Sequence, residues 1–261
     1  MSLPDERHNA ENTLREVPGN REELSDLNEK TFLSMISHEF RSPLSTIMIT
    51  ADTVEAYLER MSSAEVRGKM ALIRNNTLFL DVLMQKVLNL VLLDSGNLDY
   101  LPAETDFNEF VSIVIAEIQE RQDLNHVIDF RETKQPVFIR IDIEMMKLSL
   151  KNLIFNALKY SPEGSTVTID LSVINSDLTV QITDHGIGIP EEDAARIYDV
   201  FYRGSNVRHI RGTGLGLCLV RKCVVCHGGR LSFVSREHVG TTFTMTLPGV
   251  EREARSFFKE N

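Results

Sequence analysis

The chain has 261 residues, of which 42% are hydrophobic and 25% are charged, a soluble composition that predicts about two domains. Its formal net charge of -10 argues against general binding to nucleic acid or to an anionic membrane. The longest apolar run, near residues 87–93, is too short to span a bilayer, and the first twenty residues are too polar for a signal peptide. We therefore expect a cytoplasmic segment without membrane contact, whether the full-length protein is soluble or membrane-anchored.

Three cysteines lie close together at Cys218, Cys223 and Cys226. An odd number in one segment does not indicate a disulfide framework. With His227 the last two spell C-x-x-C-H, the pattern of covalent haem attachment, but they lie in an apolar helical segment and no export signal is visible. Buried, reduced thiols are the favoured interpretation.

A polar leader over residues 1–20 is followed by two predicted amphipathic helices. Apolar residues at alternating spacings of three and four predict the first helix from about Leu24 to Arg60. Ser62 and Glu65 form a capping box that starts the second helix, and Gly96 is a C-cap that ends it. The sequence thus predicts a helical hairpin over residues 21–98.

His38 lies off the apolar stripe of the first helix and shares its face with Arg41, Ser42 and Ser45. Pro43 lies inside the same helix, where it removes a backbone hydrogen bond and crowds the carbonyl of Glu39. A neutral imidazole is a good nucleophile, and the Glu39 carboxylate can orient the ring or take up its other proton. A solvated surface histidine is the alternative. The predicted stripe consists of Leu33, Ile36, Phe40, Leu44, Ile47, Ala51, Val54, Leu58 and Met61.

The second helix is apolar around much of its circumference from Leu80 to Leu93. Two helices cannot enclose such a surface by themselves, whereas two hairpins paired as a four-helix bundle can. We therefore expect a homodimer.

The pattern changes after Leu101 and Pro102. Helices are predicted near residues 108–121, 143–160 and 214–227, and Asp142 is a candidate cap of the second of them. Strands are predicted near residues 127–130, 137–141, 167–173, 178–182, 230–235 and 241–247. This order predicts a two-layer α+β sandwich in which helices cover one face of a mixed sheet.

Asn152, Asn156 and Lys159 are predicted to align along the helix over residues 143–160. Asparagine is a poor helix former, so two aligned amides beside an ammonium suggest a metal-bound phosphate chain, although a solvated polar face remains open. The apolar stripe predicted to face the sheet contains Ile143, Met146, Leu150, Leu153 and Ala157.

Two glycine-rich segments follow. Asp184 ends a strand just before Gly186 and Gly188, a pattern that lets the backbone approach a flat ligand while the carboxylate accepts from an exocyclic amine, although such a pattern is often just a turn. A second segment opens a helix, where free amides favour an anion. Its glycines are Gly212, Gly214 and Gly216, and the arginines of the loop before it are Arg203, Arg208 and Arg211.

In order, these motifs resemble those of sensor histidine kinases. Residues 32–44 (FLSMISHEFRSPL) resemble the phospho-acceptor box, and 152–161 (NLIFNALKYS) resemble the N box. Residues 184–189 (DHGIGI) resemble the first glycine box, 197–203 the F box and 212–217 (GTGLGL) the second glycine box. Residues 227–229 and 240–243 fit the closing elements of the family. The resemblance covers about residues 24–248.

The resemblance implies a multi-domain chain: an all-α hairpin forming a dimeric four-helix bundle over 21–98, an ATP-binding α+β sandwich of the GHKL type over 103–250, and a tail over 251–261. Asp184 would hold adenine, Asn156 would ligate Mg²⁺, and Asn152 and Lys159 would support the phosphates of ATP. His38 would accept the γ-phosphoryl group with Glu39 beside it. The implied nucleotide-binding set is Asn152, Asn156, Lys159, Tyr160, Asp184, Gly186, Gly188, Ile189, Phe201, Arg203, Arg211, Gly212, Thr213, Gly214, Leu215, Gly216, Leu217 and Thr242.

The resemblance also implies a response-regulator receiver domain as partner. Related ATPases carry a glutamate general base where this chain has Asn152, and an amide cannot take a proton from water. Ser42 replaces the Thr or Asn that the family assigns to dephosphorylation of the regulator, which puts phosphatase activity in question. A kinase-like scaffold without turnover and an ATPase coupled to conformational work are the rival functions.

Overall fold

The computed structural model describes residues 29–95, 100–120, 125–207, 209–210 and 212–250. Contacts divide them into two compact units. One contains Pro102–Ala195 together with residues 224–250, and the other contains residues from 29 to Leu101 together with Arg196–Cys223. The predicted leader, the start of the first helix near Leu24, the Gly96 cap and the tail over 251–261 lie outside the described residues.

The second unit is built on a helical hairpin of α1 (Glu29–Tyr57) and α2 (Ser63–Asp94), joined through a 3₁₀ turn at Leu58–Arg60. The capping box is confirmed. The Ser62 hydroxyl accepts from the Glu65 amide at 3.3 Å, and Glu65 Oε2 accepts from the Ser62 amide at 2.7 Å. These hydrogen bonds hold the pKa of Glu65 below its usual value. Pro43 is buried inside α1, which continues through it.

Leu83 and Leu90 on α2 are fully buried. They form a core with side chains of the segment Arg196–Cys223, namely Val200, Leu215, Cys218 and Leu219. Phe32, Phe40, Phe79, Val87, Leu93 and Phe201 pack around this core.

Four members of the predicted α1 stripe, Leu33, Leu44, Ala51 and Leu58, are exposed in the single chain. A single hairpin gives each helix one neighbouring helix, so part of a broad apolar face stays uncovered. By length and composition α2 could also cross a membrane, although its apolar run is interrupted by Asp81 and Lys86. One such helix is weak evidence for a span, because the helices of bundles have the same composition.

The first unit contains a five-stranded mixed sheet in the order β2-β4-β5-β7-β6. β2 (Val127–Arg131) pairs parallel with β4 (Thr166–Ile174), and the other pairs are antiparallel. β5 (Asp177–Asp184) lies at the centre beside β7 (Gly240–Leu247), and β6 (Arg230–Arg236) forms an edge. The mixed sheet predicted from the sequence is therefore confirmed.

β1 (Ala103–Asp106) was not predicted, because its four residues show no apolar alternation. It pairs antiparallel with β3 (Phe138–Ile141) in a separate two-stranded sheet. The predicted strand near residues 137–141 therefore exists, but it does not join the main sheet.

Helices α3 (Phe107–Glu120) and α4 (Ile143–Tyr160) supply the helical layer. The Asp142 carboxylate accepts from the Met145 amide at 3.0 Å, which confirms the predicted cap. Met146, Leu150, Leu153 and Ala157 are buried as predicted. Ile143 is 41% exposed, contrary to the prediction, because it is the first residue of the helix and burial begins only at Met145.

Helix α5 (Gly216–Cys226) carries the three cysteines as free thiols. Cys218 and Cys223 are buried as predicted. Cys226 is exposed, contrary to the prediction, because it is the last residue of the helix, where burial ends.

Candidate functional site

The carboxylate of Asp184 lies at the end of the central strand β5 and is 7% exposed. Its Oδ1 accepts from the Gly186 amide at 2.8 Å and from the Thr241 amide at 3.3 Å. Burial raises the pKa of this carboxyl, and the two amides and the nearby His185 oppose the rise. In the part of the chain that the structure describes, Oδ2 makes no hydrogen bond, so it remains an acceptor for a ligand.

The loop after Asp184 runs in direct backbone contact with two neighbours. A Cβ on Gly186 would lie 2.3 Å from the carbonyl oxygen of Tyr160, at the end of α4. Gly188 has φ +66°, and a Cβ there would lie 2.2 Å from the carbonyl oxygen of Arg236. Both contacts exclude a side chain, and Gly188 also needs the left-handed conformation. The glycines are therefore required for backbone packing within the domain, and the predicted approach of this loop to a flat ligand stays a prediction.

The polar residues of α4 do not form one exposed stripe. Asn152 is 8% exposed, and its Nδ2 donates to the Leu148 carbonyl at 2.8 Å. Asn156 is half-buried and makes no hydrogen bond within the described residues, so its amide oxygen is available to a ligand. Lys159 is exposed, and its Nζ lies 3.3 Å from the Tyr160 hydroxyl and 4.8 Å from the centre of that ring. The solvated-face alternative is thus wrong for Asn152.

The residues around Asp184 include two that were not predicted. Thr241 lies opposite Asp184 in the β5–β7 register and supplies one of its amide donors. Ser235 on β6 accepts from the Ile189 amide at 2.8 Å. The predicted Thr242 lies beside them, with its Oγ1 3.0 Å from that of Thr183. Local patterns could not reveal Thr241 and Ser235, because both act through pairing between distant strands.

The candidate phospho-acceptor His38 is 81% exposed on α1, as its position off the stripe predicted. Its Nδ1 lies 4.0 Å from Oε1 of Glu39, which is close enough for attraction but too long for a hydrogen bond. Ser42 is exposed one turn later. The imidazole is thus accessible to a reactant, with a carboxylate at one nitrogen.

In the second unit, Gly214 packs against the backbone of the F-box segment. Gly214 has φ +67°, and a Cβ there would lie 2.5 Å from the carbonyl carbon of Phe201. Phe201 itself has φ +62°, and its ring centre lies 6.2 Å from that of Phe32 on α1. Leu215 is fully buried and Thr213 is nearly so. These residues therefore have packing roles besides any contact with a nucleotide.

The arginine-rich loop is only partly described. The Arg203 guanidinium donates to the carbonyls of Val207 and Ile210 and so closes the loop on itself. Arg208 and Arg211 lie outside the described residues. The phosphate-binding role of Arg203 stays a prediction, as do the roles of Gly212 and the half-buried Gly216 and Leu217.

Comparison with known proteins gives a consistent result. Residues 141–251 match the family model described as histidine kinase-, DNA gyrase B-, and HSP90-like ATPase. The chain is 32% identical to the sensor histidine kinase WalK of Bacillus subtilis over 243 residues, which cover 89% of this chain and 38% of WalK. It thus spans well under half the length of that relative.

Two solved structures show the same fold. Histidine kinase ThkA, in complex with the response regulator protein TrrA, has a TM-score of 0.68 at 24% identity, covering 90% of this chain and 65% of that one. Full-length ShkA in complex with AMPPNP has a TM-score of 0.63 at 23% identity, covering 85% and 46%. With the buried Asp184 and the glycine loop, the match over residues 141–251 shows that the chain carries an ATPase domain of the histidine kinase-, DNA gyrase B-, and HSP90-like family, and the curated relatives that it matches are sensor histidine kinases.

Proposed function

We propose that this chain is the catalytic core of an ATP-dependent protein-histidine kinase, which phosphorylates its own His38 and passes the phosphoryl group to an aspartate of a response regulator. The observation that carries the proposal is the pairing, in one chain, of an 81% exposed histidine with a buried Asp184 whose Oδ2 is left as an acceptor. The first is accessible to a phosphoryl donor, and the second suits the amino group of adenine.

The nucleotide is held mainly by residues that position it. Asp184 Oδ2 accepts from the exocyclic amine, and Gly186 and Gly188 let the loop after Asp184 pack against the backbone of Tyr160 and Arg236, which fixes the position of this loop beside the carboxylate. Asn156 offers an oxygen ligand to Mg²⁺, and the exposed Lys159 neutralises phosphate charge. When bound, Mg²⁺ supplies charge neutralisation on the phosphate oxygens.

In the transfer step His38 Nε2 attacks the γ-phosphorus. A nitrogen–phosphorus bond forms while the bond to the bridging oxygen of ADP breaks, and ADP keeps that electron pair. Glu39 faces the other nitrogen, Nδ1, where it stabilises the positive charge that develops on the ring. Catalysis then rests on positioning and on electrostatic stabilisation.

Asn152 favours transfer to histidine over hydrolysis. Its amide is buried and donates to the Leu148 carbonyl, and it has no basic group that could activate water. An ATPase coupled to conformational work would need such a base, so this function is the weaker alternative.

We further propose a homodimer through the hairpin over residues 21–98, with the ATP-binding domain over 103–250. The support is the exposed apolar surface of both helices, since a second hairpin would bury it in a four-helix bundle. Its exposed members include Met48, Ile49, Leu78, Val82, Met84 and Leu88. The same surface accounts for the apolarity of α2 without a membrane, in keeping with a cytoplasmic location.

A response-regulator receiver domain is the proposed partner, by analogy with the ThkA–TrrA complex. Ser42 lies one turn after His38 and keeps the hydroxyl that could place a water for dephosphorylation of the regulator. Because serine is less restricted in χ1 than threonine, we expect any phosphatase activity to be weak.

Incubation with ATP labelled at the γ-phosphate and Mg²⁺ tests the proposal. We expect acid-labile label on the protein, and we expect His38→Gln to remove it. His238→Gln is the matched control, because His238 is equally exposed at 84% and lies in a turn outside the phospho-acceptor helix. Phosphate release without label would support the ATPase, and absence of both label and release would support a scaffold without turnover.

A further inference from the structure

The hydroxyl of Ser235 contacts two other segments of the ATP-binding domain. It accepts from the Ile189 amide at 2.8 Å, lies 3.1 Å from the Gly240 carbonyl oxygen and lies 2.8 Å from Thr241 Oγ1. Ile189 belongs to the glycine loop, whereas Gly240 and Thr241 begin β7. One side chain therefore links the loop after Asp184 to the start of the strand beside it.

The hydrogen-bonding capacity of a serine hydroxyl matches this arrangement. It has one proton to donate and two lone pairs to accept with. If the Ser235 proton goes to the Gly240 carbonyl, the lone pairs accept from the Ile189 amide and the Thr241 hydroxyl, and all three contacts are satisfied at once. Alanine would remove all three.

The segments that Ser235 joins are also in close backbone contact. A Cβ on Gly240 would lie 2.1 Å from the Asp184 carbonyl oxygen. The His238 amide donates to the Ile187 carbonyl at 2.8 Å. The turn over residues 236–240 and the loop over 184–190 are therefore held together by backbone contacts and by the hydrogen bonds of the Ser235 side chain.

Ser235 is connected to the Asp184 carboxylate through Thr241, which contacts both residues. Thr241 donates its amide to Asp184 Oδ1 at 3.3 Å, which is the longer and weaker of the two bonds that orient this group. A displacement of the start of β7 by a few tenths of an ångström would break it. Gly186 alone would then hold Oδ1, and the carboxylate could rotate.

We propose that Ser235 is a positioning residue for base recognition, which keeps Asp184 Oδ2 aimed at the exocyclic amine of adenine through Thr241. This inference rests on the proposed nucleotide-binding function. Ser235 needs no contact with the nucleotide. Its effect is therefore on the choice between bases and not on the affinity for the phosphates.

Adenosine diphosphate (ADP) and inosine diphosphate (IDP) differ in the base and share the same phosphates, so they separate an effect on base choice from an effect on phosphate affinity. ADP offers Asp184 an amine, whereas IDP presents a carbonyl oxygen at the same position. Calorimetry with Mg²⁺ gives both dissociation constants, and we expect the wild type to prefer ADP by about tenfold or more. Ser235→Ala should reduce this preference by about threefold or more, because the dissociation constant of ADP rises. The dissociation constant of IDP should change by less than about twofold.

Ser232→Ala is the matched control. Ser232 lies on the same strand, pairs with Thr244 and makes no hydrogen bond to the loop over 184–190 in the described structure. Its variant should keep the wild-type preference. Ser235→Cys is a second variant of nearly equal volume, and it should also lose the preference because a thiol is a weak donor and acceptor.

Equal weakening of ADP and IDP in the Ser235 variants would overturn the proposal, because a purely structural role loosens the whole pocket. An unchanged preference would overturn it as well, while leaving the proposed function intact. If the wild type binds neither diphosphate, the proposed function itself fails and the role of Ser235 fails with it.

Discussion

The Nζ of Lys222 on α5 lies 2.6 Å from Oδ1 of Asp94, the last residue of α2. A carboxylate at the C-terminus of a helix faces the negative end of the helix dipole, which is unfavourable for an acid. Lys222 offsets this repulsion. Both side chains are largely shielded, at 20% and 31% exposed, so the pair is screened less than an open surface pair.

We expect a double-mutant cycle with Lys222→Met and Asp94→Asn to give a coupling free energy of about 0.5–1 kcal/mol in thermal unfolding at low salt. The coupling should shrink in about 1 M salt. Arg196 and Asp199, at 61% and 49% exposed, are the control pair and should couple more weakly. A coupling that salt leaves unchanged would contradict the electrostatic origin.

Two glycines of the second unit should respond to alanine in opposite directions. Gly214→Ala should destabilise this unit by about 1–3 kcal/mol, because its φ of +67° disfavours a side chain and the new Cβ would collide with Phe201. Gly68→Ala should stabilise it by about 0.5–1 kcal/mol, because Gly68 lies inside α2 with no atom within 4 Å of the new Cβ. Chemical denaturation followed by circular dichroism measures both, and equal effects would refute the packing argument.

Glu117 on α3 should make the first unit sensitive to acid. It contacts Lys147 Nζ at 2.5 Å and Lys151 Nζ at 2.7 Å on α4, and these hydrogen bonds lower its pKa to about 2. A carboxyl with a depressed folded pKa contributes stability above its unfolded value near 4.5, and this is lost as pH falls toward 2. Glu117→Gln should remove this part of the pH dependence of the denaturation midpoint.

The control for Glu117 is Glu109→Gln on the same helix, because Glu109 makes no ion pair within the described residues. That variant should keep the wild-type loss of stability as pH falls from about 4.5 toward about 2. If both variants show the same pH dependence of the denaturation midpoint as the wild type, the ion pairs of Glu117 with Lys147 and Lys151 do not stabilise the domain.

Asp184→Asn should weaken ADP binding by about tenfold or more while leaving the hairpin dimer intact. Since burial raises the pKa of this carboxyl, protonation should also weaken wild-type binding as pH falls from neutral into the acid range, and the variant should lack this dependence. Asp177→Asn, at the opposite end of β5, is the control. Calorimetry across this pH range checks both expectations, and unchanged affinity in Asp184→Asn would reject the adenine assignment.

The features predicted well from sequence are those with local causes. Asp142 and Ser62 cap helices through bonds to residues three positions away, so their roles are visible in the sequence. The turn between β4 and β5 places Asn175 and Ser176 in the left-handed region, which asparagine tolerates. The position of Asp184 at the end of β5, directly before the glycine loop, belongs to the same class.

The features that sequence missed depend on distant partners. Thr241 reaches Asp184 only because β7 pairs with β5, and Ser235 reaches Ile189 only because β6 is the next strand. Asn152 was placed on a polar face, yet it is buried because its amide is satisfied by a carbonyl of its own helix. Helical periodicity alone cannot distinguish an asparagine on the solvated face of a helix from a buried one whose amide bonds to its own helix.

The order of strands also constrains when the domain becomes competent during synthesis. β7 is the last strand in chain order among the described residues, yet it lies between β5 and β6 and donates the Thr241 amide to Asp184. A nascent chain that has emerged only as far as β6 lacks both the inner strand and this donor. A chain that ends near residue 239 would therefore contain every residue of α1 but lack the Thr241 amide that binds Asp184 Oδ1.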